Sequence, residues 1–401
     1  MSAVIPTPAM TPSPKAGGFS TISWMTLFYD LIIVAVFARA TYIYGKNPSW
    51  FTFTFIVIAL LSLYALWSLT TLELVMSPHQ TWMRRVVVLV QVVALLVAGL
   101  AMYRGGGISD RWGFIGLSVG FFTTAILTWL RVREPGSDPR WLGSLLTVSL
   151  GAAAIFGVGA LFPMGYLVSD VLIAWIFYPV ATAWAVIGLL IVAPKYLVVP
   201  SRVDSHSLNE RFGVLLLIVL GDAFLQLLEV LGALRSIPAP EFLVLTLLLV
   251  VSIWLMYFPI LAEPPLATSI LRARSRVAAH FLLVLSSAFG IVAYVELSTG
   301  FSNNDAEGET TAWSTAPVLA IAIAILWLTW LQMQKWTRVV TVHVIAVAIL
   351  LALTIFSEAT GELGREIDLI VANLVLLADA VIVVVLHRRS VKADVITDAN
   401  H

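Results

Sequence analysis

Residues 209–232 read NERFGVLLLIVLGDAFLQLLEVLG, a hydrophobic run long enough to cross a bilayer. The run nevertheless carries Asp222, Gln226 and Glu229. These side chains follow one another at i, i+4 and i+7, so they share one face of a helix. A carboxylate at mid-bilayer depth costs roughly 2.5–3.5 kcal/mol, so we expect this face to meet protein or water and not lipid.

The composition predicts an all-α, polytopic membrane protein. Of the 401 residues, 60% are hydrophobic and 11% are charged, and the mean hydropathy is +0.97, which excludes an ordinary soluble domain. The apolar runs approach about 20 residues, which is too long for β-barrel strands. The absence of Cys excludes disulfides, thiolate metal sites and cysteine nucleophiles. The balance of 23 basic and 23 acidic residues argues against a nucleic-acid partner.

About twelve apolar segments can be drawn, and they predict two six-helix halves joined by short loops. Most Lys and Arg residues of the loops fall on the side that carries the N-terminus, so the positive-inside rule predicts that both termini are cytoplasmic. The predicted parts are a disordered tail at 1–20, a first half at 21–194, a linker at 195–211, a second half at 212–389 and a tail at 390–401.

Two patterns occur once in each half and predict an internal duplication. A glutamate at a cytoplasmic helix end is followed eleven positions later by an arginine, and this spacing predicts a charge pair that either latches one conformation or remains as a static pair at the rim. The pairs are Glu73 with Arg84 and Glu263 with Arg274, and the second pattern is LTWL at 127–130 and 328–331.

Acidic side chains from three separate segments fall at a similar depth. They are Asp30, Asp222 and Asp379, with Asn373 close to the last. One interpretation is a water-accessible polar centre in which these groups bind a proton or cation and couple it to a solute. The alternative is that each acid is buried for packing alone and is satisfied by neighbouring helices, with Asp30 paired to a cytoplasmic arginine.

Nothing in the sequence predicts an enzyme. HExxH and P-loop motifs are missing, and the six histidines are scattered, so we expect no metal and no cofactor. His280 and His343 lie near segment ends, where interfacial anchoring is the expected role.

Two stretches resemble hallmarks of the bacterial low-temperature-requirement A (LtrA) family: LFYDLIIV at 27–34 and HSLNERFGVLLLIVLGD at 206–222. Asp222 stands where the family usually has Glu, and the acidic cluster expected before Arg84 is reduced to Glu73. The resemblance implies a protein of the bacterial inner membrane with a link to growth in the cold, but no substrate. The matching positions are Asp30, His206, Glu210, Arg211, Phe212, Gly213, Gly221 and Asp222.

The sequence therefore predicts a secondary-transporter-like carrier that moves a small solute together with a proton or cation. Its candidate binding residues are the polar groups named above, and its other partner is the lipid bilayer. The alternative is a non-transporting, lipid- or stress-responsive membrane protein whose buried acids serve structure only, and a channel is a third possibility. The oligomeric state is open.

Overall fold

The computed structural model of this protein describes twelve stretches of the chain, and each of them forms a helix. The described residues are 24–46, 50–76, 81–103, 111–134, 139–162, 168–192, 205–233, 240–259, 269–303, 312–333, 337–360 and 365–398. The predicted tail at 1–20 and residues 195–204 of the predicted linker lie outside them. The helices are α1 Trp24–Lys46, α2 Trp50–Met76, α3 Trp82–Tyr103, α4 Arg111–Val132, α5 Pro139–Leu161, α6 Val168–Val192, α7 Ser205–Ala233, α8 Pro240–Tyr257, α9 Ile270–Asn303, α10 Ala312–Met333, α11 Arg338–Thr360 and α12 Arg365–Asp398.

Eight of these helices contain an apolar stretch long enough to cross a membrane. The described parts of α6 and α8 add shorter apolar stretches, Ile176–Val192 and Val244–Tyr257. Helix α7 begins at Ser205, inside the predicted linker, and α12 continues beyond its apolar span to Asp398. The long spans are Phe51–Met76, Trp82–Ala101, Arg111–Val132, Leu142–Leu161, Ile270–Tyr294, Thr315–Met333, Arg338–Phe356 and Ile367–Arg389.

Several helix starts follow directly from the local sequence. Thr81, Ser269 and Thr337 each accept a hydrogen bond from the backbone N–H three residues later, at 3.5, 3.3 and 3.4 Å, as N-cap residues do. Pro139 and Pro240 stand at the first position of α5 and α8, where the N–H that proline lacks would have no partner within the helix. These residues fix where α3, α5, α8, α9 and α11 begin.

For the description of helix contacts we call α1–α6 the first group and α7–α12 the second group. In the first group α3 packs on α1 and α4, α4 on α5, α5 on α6, and α6 returns to α2. In the second group α9 packs on α7 and α10, α10 on α11, α11 on α12, and α12 returns to α8. The groups meet where α1 and α2 pack against α7 and α9, and where α6 contacts α9. We call this contact region the seam.

Small and polar residues hold α3 and α4 close together, as is common where helices pack within a membrane. Gln91 of α3 donates to the Gly120 carbonyl at 3.1 Å, to the Thr124 hydroxyl at 3.0 Å and to the Thr70 hydroxyl of α2 at 2.9 Å. Gly116 of α4 lies against the α3 backbone, since a Cβ there would come within 2.5 Å of the Ala94 carbonyl oxygen. The first group therefore depends on residues without bulk at this contact.

Large apolar side chains cover the outer faces of the helices. Leu89, Val93 and Leu100 of α3 and Ile345 and Ile349 of α11 are all exposed, whereas the opposite faces of these helices are buried. Contact of these apolar side chains with lipid tails is favourable, whereas their contact with water is not. These faces are therefore suited to contact with a bilayer.

Replacing Gly116 with Ala is expected to destabilise the protein by about 1–3 kcal/mol, because the new methyl group meets backbone atoms that cannot move aside. Gly143 of α5 is the matched control, since a Cβ there has no neighbour within 4 Å. Thermal unfolding in detergent should show a lower Tm for Gly116→Ala and an unchanged or higher Tm for Gly143→Ala. Equal Tm values for the two variants would contradict the close contact of α3 with α4.

Candidate functional site

The two stretches that carry the sequence motifs meet in a buried ion pair across the seam. Arg211 of α7 donates from Nη1 to the Asp30 Oδ2 of α1 at 2.6 Å. Trp67 of α2 donates from Nε1 to the other carboxylate oxygen of Asp30 at 2.8 Å. Asp30 and Trp67 are fully buried and Arg211 is 6% exposed. Both oxygens of this carboxylate are therefore held by charged or polar donors from different helices.

This geometry explains how a carboxylate can lie inside the apolar interior. An isolated buried charge would be strongly unfavourable, whereas an ion pair with good geometry and further hydrogen bonds offsets most of that cost. The structure pairs Asp30 with Arg211, one of the arginines for which the sequence predicts a cytoplasmic position, and whether Asp30 also binds a ligand stays a prediction. Removing either partner would leave the other as an uncompensated charge at the seam.

Aromatic rings surround the ion pair on its α9 side. Phe212, next to Arg211, packs on Trp67 with ring centroids 5.5 Å apart and on His280 with centroids 4.4 Å apart. His280 Nε2 lies 3.1 Å from the Phe212 carbonyl oxygen, and the Tyr64 hydroxyl lies 3.4 Å from Nδ1. His280 is thus buried among α2, α7 and α9, and the expected interfacial anchoring is wrong for this residue.

A cavity of about 10 Å³ opens beside Trp67 and Phe212, with room for about one water molecule. Both groups of helices line it, because its walls come from α2 and α6 of the first group and from α7 and α9 of the second. Ser68 and Thr71 of α2 contribute the polar side chains of its lining, and the Thr71 hydroxyl has no hydrogen-bond partner among the described residues. The remaining lining residues are Leu72, Leu189, Leu208 and Val277.

Two half-buried polar side chains lie near this cavity at the start of α7 and α9. Arg276 donates from Nη2 to the Asn209 side-chain oxygen at 2.7 Å. Among the described residues Arg276 has no carboxylate partner. Glu210 is also half-buried, and Gly213 packs near the rings of Tyr257 and Phe258. The side chain of His206, another motif residue, lies outside the described part of the chain.

Farther along α7, Asp222 and Gln226 form the pair that their spacing predicts. Gln226 donates from Nε2 to Asp222 Oδ2 at 2.5 Å, and both side chains are half-buried. Neighbouring Gly221 and Leu225 are exposed, so this pair borders the exposed face of the helix. Asp222 lies eleven residues beyond Arg211, about 16 Å along the axis. The side chain of Glu229 lies outside the described residues.

The other predicted polar residues lie on α12. Asp379 accepts a hydrogen bond from His343 Nδ1 of α11 at 2.7 Å, and both are buried. Asn373 donates to the Tyr294 hydroxyl at 2.5 Å and to the Leu369 carbonyl at 2.9 Å. Helix α12 packs mainly on α8, α10 and α11, away from the seam. Burial of His343 contradicts its expected role as an interfacial anchor.

Asp30, Asp222 and Asp379 therefore have separate partners on separate parts of the bundle, and the predicted common polar centre is not what the structure describes. A similar depth in the membrane fixes only one coordinate of a side chain. The lateral position depends on helix packing, which places α12 among other helices than α1 and α7. Whether each acid binds a ligand stays a prediction.

The structure gives Arg84 another ion-pair partner than the predicted Glu73, although the charge of Arg84 still acts on Glu73. Arg84 forms its ion pair with Glu134, just beyond α4, at 2.8 Å. The close packing of α3 on α4 brings these two side chains together. Glu73 is fully buried, and the groups that act on its carboxylate include the Thr128 hydroxyl and the positive charges of Arg131 and Arg84.

For the second pair, Glu263 lies outside the described residues. Arg274 is exposed and donates from Nε to the Leu190 carbonyl at 2.7 Å.

Sequence reasoning missed Trp67, Tyr64 and the inward position of both histidines. An apolar segment gives no sign that one of its Trp side chains will donate to a carboxylate on another helix. His343 did carry a usable signal, since it lies on the segment adjacent to that of Asp379 and toward the same membrane side. No three His, Asp or Glu side chains converge as metal ligands within the described helices.

The Asp30→Asn variant is expected to lose about 3–5 kcal/mol of stability, because Arg211 remains buried without a counter-charge. The double variant Asp30→Asn/Arg211→Met should recover most of that loss, since it removes both charges. Exposed Arg274→Gln is the control and should change little. Thermal unfolding in detergent compares the natural protein with Asp30→Asn, Arg211→Met, the double variant and Arg274→Gln. If the double variant is as unstable as the sum of its two single variants, the pair does not act as a unit.

The comparisons with known proteins agree with the motif geometry. The family model for the bacterial low temperature requirement A protein (LtrA) matches residues 21–386, nearly the whole chain. No curated protein matches the chain. The match includes both motif stretches, whose Asp30 and Arg211 the structure joins. The chain therefore belongs to the LtrA family of bacterial membrane proteins.

Proposed function

We propose that this LtrA protein is a secondary-transporter-like carrier that moves a small solute together with a proton or cation. The observation that carries the proposal is the cavity at the seam, which is lined from both groups of helices and lies beside the Asp30–Arg211 pair. Carriers built from two repeated halves bind their solutes at the interface of those halves. The proposal assigns binding and translocation to the chain and no catalytic step.

The proposal includes an internal duplication of six helices. It is supported by the packing order, because each neighbour pair named in the first group has a counterpart six helices later. It is also supported by the recurrence of LTWL in α4 and α10. Six helices per half give both halves the same orientation, so an approximate two-fold axis would run along the membrane normal.

In this proposal the ion pair at the seam governs the movement of the halves. Asp30 and Arg211 lie on α1 and α7, the first helix of each half. A change in the contact between them would therefore alter the packing of both groups. Protonation of Asp30 or competition by a charged solute would weaken the pair. Asp222, Gln226 and Glu229, farther along α7, are candidates for a later contact on the same solute path.

We further propose a multi-pass topology in the bacterial inner membrane with both termini in the cytoplasm. The excess of Lys and Arg in loops on the N-terminal side supports it. Lipid tails and headgroups would then be the permanent partners of the exposed apolar faces.

A second candidate is a non-transporting, lipid- or stress-responsive membrane protein that acts in growth at low temperature. The narrowness of the seam cavity favours it, since about 10 Å³ does not admit a solute larger than water in this conformation. Under this reading the buried polar pairs serve packing only. The two candidates differ in whether the seam opens.

Opening of the seam can be tested with single cysteines, because the natural chain has none. Thr71→Cys places a thiol at the cavity, and Leu117→Cys places one in the buried core of the first group as a control. The carrier predicts that a membrane-impermeant maleimide labels Thr71→Cys in at least one condition of pH or added solute, and never labels Leu117→Cys.

A thermal-shift screen of small solutes identifies candidates for flux measurements in liposomes. The carrier predicts uptake that is abolished in Asp30→Asn/Arg211→Met, provided that this variant stays folded. The non-transporting protein is favoured instead if Thr71→Cys is not labelled in any condition and no stabilising solute shows flux.

A further inference from the structure

The pair formed by His343 and Asp379 lies deep within the second group of helices. Asp379 lies near the middle of the apolar span Ile367–Arg389, about 15 Å from its cytoplasmic end at 1.5 Å per residue. His343 lies in the first third of the span Arg338–Phe356. The two side chains are 3% and 1% exposed. Neither can reach water by extending toward the membrane surface, because both are short.

Among the described residues, each member of the pair has one polar atom without a hydrogen-bond partner. The contact between His343 Nδ1 and Asp379 Oδ2 leaves His343 Nε2 and Asp379 Oδ1 without hydrogen bonds among the described residues. Buried polar atoms are usually satisfied, and an unsatisfied one costs about 1–3 kcal/mol. An unpartnered nitrogen with a lone pair, beside a carboxylate, is a position at which a proton can add.

The surroundings supply little compensating charge. Helix α10 carries no Asp, Glu, Lys, Arg or His between residues 312 and 333, and α8 carries only Glu241 in its first turn. On α11 the nearest charged residue is exposed Arg338, at the helix start. On α12 the nearest are Asp368, eleven residues before Asp379, and the basic residues that begin with His387, eight residues after it.

We infer that His343 and Asp379 form a proton-binding site. With His343 neutral the pair carries one negative charge at mid-membrane depth. One proton delivered by water adds to the lone pair of Nε2, no other bond is broken, and the resulting imidazolium keeps its Nδ1–H donated to the Asp379 carboxylate. The pair is then neutral overall, which the low-dielectric interior favours. The site takes one proton and excludes a second.

The site also has a place in the carrier, and this part rests on the proposed function. It lies away from the seam, in the group α8, α10, α11 and α12, so the coupling ion and the solute would occupy different positions. The coupling ion would be a proton and not a metal cation. Loading of α11 and α12 would then alter the packing of the second group against the seam helix α9 through α10.

The proton can be observed without any solute or gradient. Protein with ¹⁵N-labelled histidine in lipid nanodiscs is titrated, and the ring signals of His343 are assigned by their loss in His343→Gln. We expect these signals to change from neutral imidazole to imidazolium as the pH falls. In Asp379→Asn the signals should no longer follow the same pH dependence, because the imidazolium has lost the carboxylate that accepts its Nδ1–H.

His280→Gln and Asp368→Asn are the matched controls, one for each residue type, and they should leave the His343 titration unchanged. His343→Gln keeps a hydrogen-bond donor for Asp379, so it provides a folded variant even if Asp379→Asn fails to fold; it should take up one proton fewer than the natural protein. The inference is overturned if His343 stays neutral throughout, if Asp379→Asn titrates like the natural protein, or if Na⁺ or K⁺ changes the signals at constant pH.

Flux separates this inference from the proposed function. If His343 titrates as expected but no solute is transported, the site stands and the carrier fails. If a solute is transported with the same pH dependence in His343→Gln as in the natural protein, the carrier stands and the coupling role of the site is overturned.

Discussion

The contact between Asp30 and Arg211 is the interaction on which the arrangement of the two groups of helices depends. It joins α1 to α7 at 2.6 Å, and both side chains are buried. A buried charge pair contributes little net stability compared with apolar packing, but the loss of one partner is costly. The main effect of such a pair is therefore to specify which helix surfaces meet. Its net contribution to the stability of that contact is smaller.

The remaining contacts at the seam also specify which helices meet there. Trp67 donates a hydrogen bond to the second oxygen of the Asp30 carboxylate. The ring of Phe212 packs on both Trp67 and His280. Within the first group the contacts are of another kind, with Gly116 against a neighbouring backbone and Gln91 bonded to three acceptors. The contact of α3 with α4 in the first group is tightly fitted, whereas the seam contains a cavity. If the protein changes conformation, the seam is where the change costs least.

Much of the fold could be predicted from the sequence because apolar runs of membrane length leave few alternatives to helices. The spacing of Asp222 and Gln226 predicted a shared face, and the structure bonds them. Pairing between helices could not be predicted to the same extent. Arg84 lies eleven residues from Glu73 but pairs with Glu134, because packing between helices decides the pair. Similar reasoning applies to Asp379, whose depth was clear while its partner His343 was not.

The central claim is that the two groups of helices move relative to one another about the seam that Asp30 and Arg211 define. Spin labels at Met83→Cys on α3 and Leu271→Cys on α9, both exposed positions, report the distance between the groups directly in a chain without other cysteines. Pulsed electron resonance in lipid nanodiscs should show two distance populations whose ratio changes with pH and in Asp30→Asn/Arg211→Met. A single population that stays the same under all these conditions would contradict the account.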